Sequence, residues 1–329
     1  MGSRTAVVTG GSGFIGAYLT RRLVHDGWTV RVMDTMARGE KSRLDPVIDH
    51  IDLQTGDVRD IDAVRKVCKG ADVVFHLAAI NGTENFYNHP DLVLDVGLRG
   101  ALAIVEGARD AGVPDMVVAS SAEVYQTPAT VPTDETVALM LPDSLNPRYS
   151  YGGSKIVSEL IAFNYARDHY SKMQVFRPHN VYGPDMGFKH VLPQFLLRAF
   201  ALKEQPGGDK IFEIQGDGSE TRAFAYVDDV VSGIITMWEK GAHREIYHIG
   251  NDQEISITEL ATLTAEAVGL QMEIKGTEAP AGATPRRCPD ISKMRALGYA
   301  PQVDLRAGLQ KTATWYEAHR AANSDNVLL

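Results

Sequence analysis

At 329 residues the chain has room for one large domain or two unequal ones, and 44% hydrophobic with 23% charged residues is an ordinary globular composition. A formal net charge of −9 argues against a nucleic-acid groove, which needs a basic face, but leaves room for a small anion held by a few local donors. No apolar run approaches the roughly 18 residues of a membrane span. With no charged-then-apolar leader, the expected location is cytoplasmic. Cys68 and Cys288 lack metal-type spacing and a disulfide framework, so they read as small packing residues, and no metal site is expected.

In chain order, Thr5–Thr9, Thr29–Met33, Val73–Leu77, Met116–Ala119 and Gln174–Arg177 read as buried strands. Helical patterns lie between them at Gly13–Asp26, Ile61–Cys68 and Gly100–Ala111, the last stopped by Gly112-Val113-Pro114. Such β-α alternation predicts an α/β fold, a doubly wound parallel sheet covered on both faces. After Pro178 the regularity breaks at Pro184, Pro193 and Gly207-Gly208. Glu245–Gly250 reads as one more strand, and Ser256-Ile257-Thr258-Glu259 as a capping box. Pro280, Gly282 and Pro285 mark a loop before a last helix at Leu305–His319. The expected division is a first domain over 1–178 and a smaller α/β domain over 179–329, with 223–253 partly returning to the main sheet.

The first strand runs into Gly10-Gly11-Ser12-Gly13-Phe14-Ile15-Gly16, and a helix follows. Glycines at 10, 13 and 16 let the turn tighten and the backbone approach a pyrophosphate at the helix N-terminus. Asp34 ends the next strand, within the expected distance of about 20 residues, where an acid accepts from a ribose 2′-OH and repels a 2′-phosphate. The pattern predicts a Rossmann-type site for NAD rather than NADP. Arg38 is a candidate for a 2′-phosphate but reads more simply as a loop charge. Asp57, in Gly56-Asp57-Val58, is placed to reach an adenine.

Tyr151-Gly152-Gly153-Ser154-Lys155 opens a helix, and the i to i+4 spacing sets Tyr151 and Lys155 on one face. A phenol of pKa about 10 must drop by about three units, roughly 4 kcal/mol, to act as a base near neutrality. A lysine ammonium a few ångströms away at intermediate dielectric supplies about that much. Ser121, in Ala119-Ser120-Ser121-Ala122-Glu123-Val124-Tyr125, ends a strand at the carboxyl edge, where such sheets bind ligands.

With these segments in place, the chain resembles the extended short-chain dehydrogenase/reductase family, in its NAD-dependent nucleotide-sugar epimerase/dehydratase branch. The resemblance runs nearly end to end. It includes Phe75-His76-Leu77-Ala78-Ala79, Arg177-Pro178-His179-Asn180-Val181-Tyr182-Gly183-Pro184, Thr221–Asp229 and Arg286–Lys293. It implies NAD contacts from Phe14, Ile15, Val58, Leu77, Ala78 and Ala79, and makes 179–329 the nucleotide-sugar-binding domain. It also implies catalysis by Tyr151, Lys155 and Ser121, with Asn180, Arg222 and Arg287 on the diphosphate of a nucleotide-sugar. His179, His190 and Lys189 flank the implied sugar pocket, and Asn81, Thr83 and Glu84 follow the strand end beside it. One departure stands out: where relatives carry asparagine three residues before Gly100, this chain has Gly97.

Oxidation at C4 gives a keto sugar open to epimerisation, dehydration or decarboxylation. Glu123, two residues after Ser121, matches a glutamate that takes part in chemistry in dehydrating and decarboxylating relatives, and would be a C5 base. Ala122 stands where the thymidine-type dehydratases have an acid, which speaks against simple 4,6-dehydration. The balance favours an epimerase, then a dehydratase or decarboxylase. A net NAD-dependent dehydrogenase and a non-catalytic dinucleotide sensor are the other readings. Two apolar stripes on the Tyr151 helix, Ile156-Leu160-Phe163 and Val157-Ile161-Tyr165, predict a second partner beyond the core sheet, hence a homodimer.

Overall fold

The computed structural model describes residues 4–165, 167–278 and 285–321; Pro280 and Gly282 of the expected loop lie outside the described residues. The first half runs β1 (Thr5–Thr9), α1 (Phe14–His25), β2 (Thr29–Asp34), a 3-10 helix (Lys41–His50), β3 (Ile51–Thr55), α2 (Ile61–Cys68) and β4 (Val73–His76). Then come α3 (Thr83–Asn88), α4 (Pro90–Asp110), β5 (Asp115–Ala119), α5 (Ser150–Tyr165) and β6 (Lys172–Pro178). Beyond them lie β7 (Val181–Tyr182), α6 (Val191–Glu204), β8 (Ile211–Ile214), β9 (Thr221–Ala223), β10 (Ala225–Tyr226), α7 (Val227–Lys240) and β11 (Glu245–Ile249). The chain ends through β12 (Glu254–Ser256), α8 (Ile257–Val268), β13 (Glu273–Gly276), β14 (Arg286–Arg287), α9 (Ser292–Ala296) and α10 (Leu305–His319).

Seven strands form one parallel sheet in the order β11-β6-β5-β4-β1-β2-β3. The near-continuous apolar runs follow from burial on both faces. Along β1, Ala6 and Val8 face a core shared with α1 and α7, while Val7 faces a core shared with α2, α4 and α5. The chain winds from β1 outward to β3, then returns to β4 on the other side of β1. That reversal opens a crevice at the carboxyl ends of β1 and β4.

Helices α6, α8 and α10 close a third core around Phe195, Phe212, Leu260 and Tyr316. Ser256 caps α8, its Oγ accepting from Glu259 N at 3.0 Å, and Asp304 caps α10 by accepting from Ala307 N.

Helix α4 begins at Pro90, well before the pattern at Gly100. Gly97 and Gly100 weaken its local propensity, but both allow close packing: a Cβ on Gly97 would stand 2.7 Å from Ser154 Cβ, and one on Gly100 2.8 Å from Val58 Cγ2. Gly97 thus brings α4 close onto α5. Ser158 Oγ donates to Gly97 O at 3.1 Å across the contact.

Beneath the carboxyl edge lies a buried polar chain. Arg177 and Glu159 form a two-bonded pair, Nε to Oε1 at 2.8 Å and Nη2 to Oε2 at 2.6 Å, with side chains 2% and 5% exposed. Ser120 Oγ donates to the same carboxylate. Arg177 also donates to Tyr125 OH, which meets His248 Nε2 at 2.7 Å. Desolvating two ions is costly, and only this saturation with hydrogen bonds offsets it. Arg177→Met, which strands the Glu159 charge, is expected to lower unfolding free energy by about 3–5 kcal/mol. Urea denaturation checks this; a loss below about 1 kcal/mol would mean the pair behaves as a solvated one.

Candidate active site and cofactor cleft

The glycine loop lies at the switch point. Gly10 has φ of +70°, and a Cβ there would come within 2.8 Å of Ala78 N. A Cβ on Gly16 would stand 2.1 Å from Gly10 O. Gly13 caps α1 without a side-chain hydrogen bond, and the first turn holds no acid. The helix's own first turn thus places no acid against its positive end, as a bound pyrophosphate requires. These features fit NAD, with Gly10, Gly13, Phe14, Ile15 and Gly16 as the residues that would hold its phosphates.

Asp34 ends β2 beside this loop. Its Oδ2 accepts from Ser12 N at 3.0 Å and its Oδ1 from Met36 N at 2.9 Å. A carboxylate has about four acceptor sites, so ribose hydroxyls can still be met. Leu77 N donates to Thr9 O at 3.1 Å, which sets Ala78 and Ala79 against the loop. Asp57 follows β3 and is held by an arginine. Both its oxygens accept from Arg59, Nε to Oδ1 at 3.0 Å, and Arg59 pairs in turn with Asp95. Asp57 therefore anchors an ion-pair cluster, while Val58 packs on Gly100.

Ser121, Glu123, Tyr151 and Lys155 meet at the end of β5. Ser121 opens a 3-10 turn, its Oγ accepting from Glu123 N at 3.1 Å. A hydrogen bond from Ser121 also reaches the Tyr151 side chain. Phe86 stacks on Tyr151 with centroids 5.2 Å apart. Lys155 Nζ donates to Ala119 O at 2.7 Å and sits 5.8 Å from the Tyr151 ring centroid.

Both ionisable groups are buried, and burial dominates them. It pushes the Tyr151 phenol up to about 12, with the Ser121 bond and the Arg38 guanidinium pulling down and the Glu123 charge pushing up. It holds the Lys155 ammonium down at about 8, against the attraction of Glu159. The ammonium is directed to a backbone carbonyl, and desolvation outweighs the charges around the phenol.

The remaining candidates fall into two groups. Arg287 Nη1 binds Glu123 Oε1 at 2.6 Å, and Arg222 lies opposite Arg287 across the β9–β14 pairing. His179 is buried against His248, ring centroids 4.7 Å apart. Its Nε2 has no hydrogen-bond partner, and burial lowers its pKa well below the ordinary value. Asn180 lies nearby with φ of +39° and donates Nδ2 to Ala223 O at 2.9 Å, tying the end of β6 to β9. Lys189 instead forms an exposed pair with Glu84, joining the 184–190 loop to α3. Burial, and then Arg38, lowers the pKa of His190 on the same loop.

A family described as the NAD-dependent epimerase/dehydratase family matches residues 6–250. The chain belongs to it. Its members with related sequences and structures are nucleotide-sugar epimerases, dehydratases and decarboxylases of the extended short-chain dehydrogenase/reductase type, and the family is NAD-dependent.

The chain is 33% identical to a dTDP-4-dehydro-6-deoxy-D-allose reductase of Streptomyces sp, covering 96% of this chain and 97% of the relative. It is 30% identical to UDP-glucuronic acid decarboxylase 1 of Xenopus tropicalis, covering 97% and 74%. The solved UDP-glucose 4-epimerase of Thermotoga maritima with UDP-glucose superposes with a TM-score of 0.84 at 26% identity, covering 96% and 99%. Three different reactions thus share this scaffold. Among the described residues no cluster suits a metal ion, and no helix is long and apolar enough to cross a membrane.

Motif reading left Phe86 and Glu159 unplaced and took Arg38 as a loop charge. Arg38 leaves the loop after β2 and donates to Asn81 O after β4, spanning the crevice. Glu159 had a signal: it follows Lys155 by one further i+4 step on the same helical face.

Lys155 also makes a linkage prediction. Its folded value of about 8 lies below the unfolded value of about 10.4. Between them the folded chain binds fewer protons, so stability rises with pH through that window and is lost as pH falls through the lower value. Relative to Lys155→Met, the wild type should gain up to about 1.4 kcal/mol per pH unit there, read from urea melts. A pH-independent difference would show a solvated lysine.

Proposed function

We propose that the protein is a nucleotide-sugar epimerase working through a transient 4-keto sugar. The observation that carries this reading is the convergence of Ser121, Tyr151 and Glu123 at the end of β5, with Arg222 and Arg287 beside them. Bound NAD would supply the hydride acceptor, and later donor, together with a positive ring next to the phenol. Tyr151 takes the proton of the sugar 4-hydroxyl and returns it, and Ser121 orients that oxygen by hydrogen bonding. Lys155 fixes the geometry from Ala119 O and favours the ionised phenol electrostatically. Asn180, Arg222 and Arg287 hold the diphosphate, the guanidinium forks matching its oxygens. His179 and Lys189 line the sugar side.

The carboxylate of Glu123 favours a second reading at the same intermediate. Acting on C5 it would lead to C5 inversion or elimination, and a 6-carboxylate would leave as carbon dioxide. Ala122 gives a departing 6-hydroxyl no acid, so simple dehydration ranks lower. Incubation with a panel of nucleotide-sugars in deuterated water separates these outcomes. Epimer without solvent deuterium is expected; deuterium at C5 would transfer the reading to Glu123 chemistry. Tyr151→Phe should lose about 10²–10⁴-fold in turnover while retaining NAD. Undiminished turnover would defeat the mechanism, and stoichiometric NADH release would indicate a net dehydrogenase.

The same reading includes a homodimer. Val157, Leu160 and Tyr165 on α5 are 39%, 57% and 40% exposed, and Leu94 on α4 is 39% exposed. An apolar face of two packed helices is a fit surface for a second copy. Light scattering at micromolar concentration should report a dimer for the wild type and a monomer for Leu160→Asp; a monomeric wild type removes the idea.

A further inference from the structure

We infer that Glu123 is a specificity-determining residue: its carboxylate holds the seat on Arg287 that a ligand diphosphate takes, so that seating the diphosphate and freeing the carboxylate towards the sugar are one event. The inference rests on the reading of Arg222 and Arg287 as a diphosphate subsite.

Strand register sets up the subsite. Strands β9 and β14 pair in parallel with Arg222 directly opposite Arg287, so two guanidinium side chains leave neighbouring strands at the same level. They feel each other: after burial, the Arg287 cation is the next cause that lowers the pKa of Arg222. An anion is needed between them, and the chain supplies its own. Glu123 Oε1 lies 2.6 Å from Arg287 Nη1, while Arg287 Nη2 donates to Gln126 O at 3.3 Å. The charges of Glu220 and then of Glu123 reach Arg222.

Two features make this pair exchangeable rather than a permanent strut. Its side chains are 17% and 31% exposed, unlike the Arg177–Glu159 pair at 2% and 5%. It therefore lies between the solvated regime, where a pair is worth little, and the buried one, where separating it is strongly destabilising. Glu123 also keeps its place when the pair opens, because its backbone N–H is anchored on Ser121 Oγ at 3.1 Å. Only the side chain has to turn.

Charge then selects the ligand. With Glu123 on Arg287 and the charge of Glu220 acting on Arg222, the two arginines have no excess positive charge with which to neutralise a diphosphate while Glu123 stays in contact. A diphosphate that displaces the carboxylate meets both cations. A monophosphate offers a weaker exchange for the bond it breaks. The displaced carboxylate remains next to Tyr151, whose phenol already feels its charge. It therefore stands on the sugar side, where carboxylate chemistry at C5 would begin only once the diphosphate is seated.

The test is calorimetric titration of the NAD-loaded protein with UDP, dTDP and GDP. Removing an internal competitor must improve binding: Glu123→Gln and Glu123→Ala should each tighten the diphosphate that the wild type takes, by about tenfold, or about 1.4 kcal/mol. The gain should vanish in an Arg287→Ala background. Unchanged or weaker binding in the glutamate variants, against a wild type that does bind, overturns the inference and leaves the nucleotide-sugar reading standing. A wild type that binds none of the three overturns both.

Discussion

Desolvation at the carboxyl edge of the sheet is the constraint on which the site depends. Tyr151 and Lys155 are 8% and 5% exposed, and burial drives the phenol and the ammonium towards their neutral forms. A dry site that disfavours charge in its resting state amplifies any charge brought into it, because the field is poorly screened. Helix α5 can carry such groups only because the layer beneath is already saturated. Glu159 accepts from Arg177 and Ser120, and the chain continues through Tyr125 to His248.

This arrangement inverts the usual logic of an amphipathic helix. The buried side of α5 carries Tyr151, Ser154, Lys155, Ser158 and Glu159, while Val157, Leu160 and Tyr165 face outward. A helix that gives its inner face to polar work keeps apolar residues for a second contact. The close approach to α4 at Gly97 completes that geometry, since a side chain there would collide with Ser154. The proposed site and the proposed assembly surface are opposite faces of one element.

The fold was legible because strands buried on both faces leave an unambiguous apolar signature, and because glycine at 10, 13 and 16 has a backbone reason to be there. The last helix was read at Leu305–His319, where Asp304 caps an amphipathic run. What escaped depended on tertiary partners. The first turns of α4 hold Pro90, Gly97 and Gly100, a weak local pattern rescued by packing on Val58 and Ser154. Lys155 and Tyr151 were correctly placed on one face by spacing. Spacing does not say that the ammonium turns to Ala119 O, or that burial exceeds the nearby charges. Nor does it join Glu123 to Arg287, which lie 164 positions apart. Nor does it show that Asp57, its neighbour Arg59 and the distant Asp95 form one cluster.

A scaffold shared by a reductase, a decarboxylase and an epimerase cannot owe its reaction to the parts those enzymes have in common. On the proposed mechanism, the glycine loop, the phenol and the lysine provide oxidation and reduction of one carbinol, and that chemistry leaves the fate of the ketone open. The choice falls to side chains that touch the keto sugar during its brief life. In this chain those next to Tyr151 are few: Ala122 contributes no acid, and Glu123 contributes a carboxylate held by an arginine. A base restrained until the ligand's own phosphates arrive would act on a committed substrate rather than on water or free sugar. On the proposed reading, the Glu123–Arg287 pair would tie reaction type to ligand recognition, through one ion pair rather than through the sheet.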